Sequence, residues 1–210
     1  MSVLAKVGLI AGPLVVLAAR LVLVPYWDEA DVYIREVADD PARSDLGASL
    51  VVVGAVLLVS GVLALARLAA VVHPRLAVTG AILGVIGCVG MACVAMAALV
   101  AGQMVRLGDT DASVALWDRV WNSDKLWPIL TVHLGALGFI VLAVGLFRAG
   151  VVPRASAVLV GLGGAMTMTT AAGPIRPLLI GAAAIALVGF GWVALATSRE
   201  GEPVASEPLA

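Results

Sequence analysis

The chain has 210 residues, of which 62% are hydrophobic and only 13% are charged, and its formal net charge is −1. A soluble domain carries about 25% charged residues. A soluble core of this size could not bury so much apolar surface, so lipid must cover much of the molecule. No basic patch is interleaved with aromatic residues, which excludes nucleic acid as an expected partner.

Six apolar segments follow one another along the chain, and each is a candidate membrane span. The first is interrupted by Pro13 and Arg20, but it runs on without a small-residue cleavage site, so we expect a retained helix rather than a signal peptide. The other five each contain at least 21 uncharged residues, and about 20 suffice for a helix to cross a bilayer. The predicted spans lie at about 7–25, 46–67, 76–104, 127–147, 155–172 and 177–197.

The predicted fold is therefore all-α: a polytopic bundle of six transmembrane helices with short amphipathic helices on the extracytoplasmic side. Residues 1–199 form a single transmembrane domain. Residues 200–210 are rich in Glu and Pro, which predicts a disordered cytoplasmic tail. The third span is about 45 Å long as a helix, more than a hydrocarbon core of about 30 Å, so it must tilt or project beyond the membrane.

Charge placement sets the expected orientation. Six spans put both termini on one side, and the turns after spans two and four are short and basic, with Arg67 and Arg75 in one and Arg148 and Arg154 in the other. Lys and Arg nearly tie between the two sides, but those on the other side lie mostly in acidic loops. Because the basic residues of the short turns have no acids beside them, we expect this side, and with it both termini, to be cytoplasmic.

Two amphipathic segments lie between spans on the predicted outer side. In residues 28–38 the apolar side chains recur at helical spacing, and Asp31 and Arg35 are placed to pair four residues apart. Residues 109–125 carry Val114 and Trp117 on one stripe. Two interpretations stay open: the segments anchor the bundle at the membrane surface, or they form a cap over it.

Five residues are candidate ligand-binding positions: His133, Gln103, Thr167, Thr170 and Arg20. His133 is the one titratable residue well inside a span, and such a residue is a functional hypothesis by default; the alternative is a structural histidine. Gln103 and the two threonines could line a solute path, or could simply pack. Arg20 lies one turn from the end of its span, so its head can reach the interface.

The sequence contains no pattern of catalytic or metal-ligating residues. No Ser-His-Asp set, phosphate-binding glycine loop or pair of intramembrane carboxylates is present. Cys88 and Cys93 are about 140° apart around a helix, so they cannot easily share a metal. His73 and His133 lie at opposite membrane sides, which excludes an intrachain bis-histidine haem. We expect no catalytic residue, no metal and no cofactor, and an enzyme is the least favoured class.

Small residues recur on one face of several spans. Gly80, Gly84 and Gly87 share a face of span three, and Gly163 and Thr167 share one of span five, which Thr170 extends. A third face, on span six, consists of Ala182, Ala186 and Gly189. Such faces let helices approach closely in lipid. The similar basic turns after spans two and four either reflect an internal repeat or are generic helix ends. If the repeat is real, the hairpins of spans two–three and four–five should meet along 80–87 and 135–145.

The whole chain resembles a loose group of uncharacterised small actinobacterial membrane proteins of about six spans. The resemblance rests on Ala/Val/Gly/Leu-rich helices, on inner turns such as His73-Pro74-Arg75 and Val152-Pro153-Arg154, and on a tryptophan-bearing segment before the fourth span. It implies a six-span fold in a bacterial plasma membrane. The group carries no established activity, so the resemblance implies none here.

These patterns favour a non-enzymatic integral membrane protein with a binding or accessory role, associating through its small-residue helix faces. The expected partners are membrane lipids and either a second copy of the chain or another membrane protein. The alternative is a small transporter or permease for a neutral or lipid-like molecule. A water-accessible cavity reaching mid-membrane would favour transport, whereas a solidly packed bundle would favour the accessory role.

Overall fold

In the computed structural model, the chain is described over residues 3–24, 29–121, 127–169 and 176–199, and all regular structure in this part is α-helical. The helices are α1 (Val3–Val22), α2 (Ala30–Asp39), α3 (Pro41–Ala70), α4 (Pro74–Arg106), α5 (Thr110–Trp121), α6 (Trp127–Ala149), α7 (Arg154–Thr169) and α8 (Arg176–Arg199). The predicted all-α class is confirmed.

Five helices, α1, α3, α4, α6 and α8, are long and apolar enough to cross a membrane. Only 44–50% of the most apolar window of each is buried inside the molecule. The part of these helices that faces outward carries many large apolar side chains, such as Leu14, Val56, Val78, Leu130 and Leu195. A soluble monomer rarely exposes apolar surface on this scale, so the molecule fits a multi-pass membrane protein.

The five long helices and α7 form a closed ring in the order α1, α3, α4, α6, α7 and α8. Each packs on its two neighbours in that order, and α8 packs back on α1. Across the ring, α3 also touches α6. Phe139 and Phe190 meet edge to face inside the ring, with ring centroids 5.8 Å apart. The centre of the bundle is therefore filled by side chains.

Glycines bring the helices of three neighbouring pairs into backbone contact. A Cβ added at Gly87 of α4 would overlap the Cα of Gly135 on α6, and one at Gly61 of α3 would lie 2.9 Å from the carbonyl oxygen of Gly8 on α1. In the α7/α8 pair, a Cβ at Gly189 would lie 2.7 Å from the amide nitrogen of Val160. The contact between 80–87 and 135–145 that an internal repeat would require is present between α4 and α6, and the repeat itself stays a prediction.

These contacts fix an antiparallel register that sorts the charges to two ends. Gly80 faces Leu142, and Gly90 faces Thr131, so the start of α4 lies beside the end of α6. The end of the bundle that we call the basic end carries Lys6, Arg67, Arg75, Arg148 and Arg154. The opposite end, called the acidic end, carries α2, α5 and every acidic residue in the described ranges.

Two long helices extend beyond their predicted bounds at the acidic end. α3 begins at Pro41 rather than at residue 46, because proline suits the first helical turn and the Asp40 side chain accepts a 3.0 Å hydrogen bond from the amide of Arg43. α4 has 33 residues, and its acidic-end portion contacts both α2 and α5. The excess length thus supports the two short helices.

Helices α2 and α5 pack on each other at the acidic end and form a cap. The rings of Tyr33 and Trp117 have centroids 4.8 Å apart, and both side chains are buried. Arg35 pairs with Asp31 at 2.7 Å, as predicted, and reaches to 3.6 Å from Asp111 on α5. The apolar stripe of α2 is covered by protein, so of the two interpretations the geometry favours the cap.

The glycine contact between α4 and α6 predicts a sharp difference between two glycine-to-alanine substitutions. Gly87→Ala should lower the free energy of unfolding by about 1–3 kcal/mol, because the new methyl group overlaps backbone that cannot move aside. Gly191→Ala should cause no loss, since a Cβ there meets nothing within 4 Å. Thermal unfolding in detergent measures both, and equal stability of the two variants would contradict the packing described.

Candidate functional site

The predicted site residues lie in different parts of the structure. His133 on α6 and Gln103 on α4 are exposed, whereas Thr167 on α7 and Arg20 on α1 are buried. Thr170 lies outside the described residues. The four described positions therefore do not line a common cavity, and the role of all five in ligand binding stays a prediction.

His133 lies on the outward face of α6. It shares this face with Leu137, Ile140 and Val144, as its helical spacing predicts, and all four are exposed. The opposite face carries Gly135, which packs against α4. The imidazole is therefore turned toward the surroundings of the bundle and away from its interior.

A narrow cavity remains among the side chains at the centre of the ring. It is lined by Pro13, Val16, Leu58, Phe139, Gly164, Thr167, Met168, Ala183, Ala186 and Phe190. The space leaves about 10 Å³ for the centre of a water molecule, which is about what a single water needs. The Thr167 Oγ1 atom is buried at this position without a hydrogen-bond partner. The cavity is too small to be a path for a solute.

Arg20 is buried rather than extended to the surface. Its side chain lies in α1 near the acidic end, the residue is only 3% exposed, and Nη2 has no hydrogen-bond partner among the described residues. Glu29, one acid to which it could extend, is itself exposed. The carbonyl ends of the last helical turn lie close by in the chain, and their negative dipole favours a cation.

Two further arginines cover the last turn of α1. Arg43 Nε donates to the carbonyl oxygen of Val22 at 2.9 Å, and Arg176 Nη2 donates to that of Leu21 at 2.6 Å. The final carbonyls of a helix lack partners within it, so these guanidinium groups satisfy them. Sequence reasoning missed this arrangement, because the donors come from α3 and α8 and no local pattern connects them to α1.

An ion pair joins α3 and α4 below the cap. Arg106 Nη2 lies 2.5 Å from Asp45 Oδ2, and Gly102 leaves room for the carboxylate, since a Cβ there would lie 2.5 Å from Oδ1. Burial raises the pKa of Tyr33 well above its ordinary value, so the phenol stays neutral beside this pair. The pair thus joins α3 to α4 directly beneath the cap.

The cap surface carries an open groove between α2 and α5. Four of its lining residues are acidic: Glu29, Asp31, Asp111 and Asp118. Nowhere in the described ranges do three or more His, Cys, Asp or Glu side chains converge as a metal site. The groove is therefore an acidic surface without the geometry of a metal centre.

A second, mainly apolar groove faces outward between α6 and α7, with a volume of about 400 Å³. Its lining is apolar except for Arg148 at the basic end: Ile140, Ala143, Val144, Phe147, Arg148, Val158, Gly161, Leu162 and Ala165. The sequence did not predict it, because it depends on which faces of two helices are left uncovered by the ring.

The outward face of α8 is a second uncovered surface. Gly181 and Gly191 lie on it, and a Cβ added at either would meet no other atom within 4 Å. Ala184 lies between them on the same face and is partly exposed. By contrast, the predicted face of Ala182, Ala186 and Gly189 is buried, with Ala186 and Gly189 packed against α7.

No family model, curated protein or solved structure matches this chain. A functional proposal must therefore rest on the surfaces and cavities described above. Two of them, the groove between α6 and α7 and the outward face of α8, are open where the molecule faces lipid.

The unpartnered hydroxyl of Thr167 predicts that an isosteric apolar side chain is tolerated. Thr167→Val removes a buried polar atom that has no partner. The free energy of unfolding should therefore stay the same or rise, by about 3 kcal/mol at most. Thr169→Val is the matched control, since Thr169 Oγ1 is exposed and donates to the Ala165 carbonyl. Thermal unfolding measures both; marked destabilisation by Thr167→Val would contradict the interior geometry.

Proposed function

We propose that this chain is a non-enzymatic membrane accessory protein that binds another transmembrane helix through the outward face of α8. The observation that carries this proposal is the unfilled space around Gly181 and Gly191, in a bundle whose other glycine faces are mostly occupied. In lipid, helices associate by close van der Waals packing, which small residues permit. The partner is a second copy of the chain or another membrane protein.

The remaining residues of this face suit such a contact. Along α8 they recur every three or four residues and are exposed or half-buried: Pro177, Gly181, Ala184, Val188, Gly191 and Leu195. Small side chains in the middle form a shallow depression, and Val188 and Leu195 provide apolar contact area. The face resembles the glycine faces that already join helices within the ring.

Transport of a neutral or lipid-like molecule is the competing proposal, and the interior supports it less. Its central cavity admits about one water molecule, and its lining is apolar apart from Thr167. His133 and Gln103, which a solute path would have used, are exposed on the outer surface of the bundle. A packed interior with open outer surfaces is the arrangement that favours the accessory role.

We also propose that the chain crosses the membrane six times, through the five long helices and α7, with both termini in the cytoplasm of a bacterial cell. α7 occupies a ring position between α6 and α8, and its 16 described residues extend about 24 Å. The basic end would face the cytoplasm, because its short turns carry arginines without acids. The cap of α2 and α5 would then lie outside the plasma membrane.

Cysteine labelling tests this topology at two exposed positions. In a background of Cys88→Ala and Cys93→Ala, we expect Glu36→Cys on α2 to react with a membrane-impermeant maleimide in intact cells. Arg75→Cys at the basic end is the matched control and should react only after lysis. The reverse pattern would invert the proposed orientation, and labelling of both in intact cells would contradict a six-span bundle.

Photo-crosslinking tests the association through α8. A photoreactive amino acid in place of Ala184 should give a protein adduct in native membranes, and the adduct mass should identify a second copy or another protein. Gly181→Leu with Gly191→Leu should reduce the adduct at least about tenfold, since these side chains fill the depression without an internal clash. The same probe at Val56, exposed on α3, is the control. Lipid adducts alone at Ala184 would contradict the proposal.

A further inference from the structure

The groove between α6 and α7 has a floor of small residues and walls of large ones. Ala143, Gly161 and Ala165 form the floor, where a Cβ at Gly161 would lie only 2.6 Å from that of Ala143. The wall side chains are 40–54% exposed. They are Ile140, Val144, Phe147, Val158 and Leu162. The two helices thus meet closely at the floor and leave a trough that is open to the hydrocarbon region.

Two cations mark the basic end of this trough. Arg148 lines it, and the Arg154 guanidinium lies 5.4 Å from the centroid of the Phe147 ring, a cation–π contact that holds it near the groove. Both side chains are exposed, and among the residues that the structure describes no hydrogen bond or ion pair engages either guanidinium. Every acid in the described ranges lies at the opposite end, so none of the described carboxylates neutralises this positive charge.

The length of the groove matches one leaflet of a bilayer. From Arg148 to Ile140 the α6 wall extends about 12 Å, and from Arg154 to Ala165 the α7 wall extends about 16 Å. Half of a hydrocarbon core is about 15 Å. A spanning helix from another chain would need a surface about twice as long. A single acyl chain below a headgroup at the basic end has about the length of the groove.

We infer that this groove binds an anionic phospholipid, with one acyl chain along the trough and the phosphate between Arg148 and Arg154. Guanidinium groups bind phosphate oxygens through paired, charge-assisted hydrogen bonds, and basic pockets between transmembrane helices at the cytoplasmic side suit anionic headgroups. This inference is separate from the association proposed for α8, which uses a different helix face.

Lipid titration of the purified protein tests the site. Delipidated protein in neutral detergent is titrated with phosphatidylglycerol or with phosphatidylcholine of the same acyl chains, and bound lipid is counted by native mass spectrometry. At about fivefold per arginine, the two together should give about a 25-fold preference for phosphatidylglycerol. Arg148→Gln with Arg154→Gln should bring the preference close to one. Arg67→Gln with Arg75→Gln, at the same end but outside the groove, should leave most of it.

A floor-filling variant and a competition experiment identify what occupies the groove. Ala165→Leu fills the floor and should weaken binding of phosphatidylglycerol at least about fivefold; Val158→Trp, at an exposed wall position, serves if the first variant does not fold. Glycerol 3-phosphate, which has the phosphate without the acyl chain, should not displace the lipid. Gly181→Leu with Gly191→Leu should not alter lipid binding, which separates this inference from the proposed association.

Three results would overturn the inference. The first is an equal loss of preference in the two arginine double variants, which would indicate only a general surface charge. The second is full displacement by glycerol 3-phosphate, which would indicate a site for free phosphate. The third is conversion of a dimer to a monomer by Ala165→Leu at constant lipid, which would make the groove an interface between copies.

Discussion

Backbone contact at glycines is the constraint on which the rest of this structure depends. Between helices in lipid there is no hydrophobic driving force, so the ring relies on van der Waals packing at very short separations. The α4/α6 contact at Gly87 and Gly135, the α1/α3 contact at Gly8 and Gly61, and the α7/α8 contact at Gly189 each join an antiparallel pair. Their register decides which charges share an end and which helix faces stay open.

Apolar burial, rather than ion pairing, holds the cap. Tyr33, Ile34 and Val37 of α2 and Trp117 of α5 are at most 3% exposed, and burying such a side chain contributes about 1.5–3 kcal/mol. The Arg35 pairs are exposed, and such pairs contribute about 0–1 kcal/mol. The cap is therefore fastened by its aromatic and aliphatic contacts, and its charges chiefly keep its outer surface in water.

The buried polar groups lower the stability of the bundle. A buried hydroxyl without a partner, as at Thr167, costs about 1–3 kcal/mol, and a buried guanidinium costs more. Arg20 is nevertheless enclosed beside the last turn of α1, where Arg43 and Arg176 already occupy the carbonyls of Val22 and Leu21. The open surfaces, by contrast, carry no such penalty, because lipid or a partner helix can cover them.

The sequence by itself determined the all-α class, the apolar segments and the Asp31–Arg35 pair, because each follows from local hydropathy and helical spacing. It also indicated which glycines allow close approach. Only the tertiary structure decided that Arg20 is enclosed, that Thr167 faces the central cavity while Gln103 does not, and that a groove ending at Arg148 lies open. These depend on which helices become neighbours in the ring, and helix neighbours are set by contacts between residues far apart in the chain.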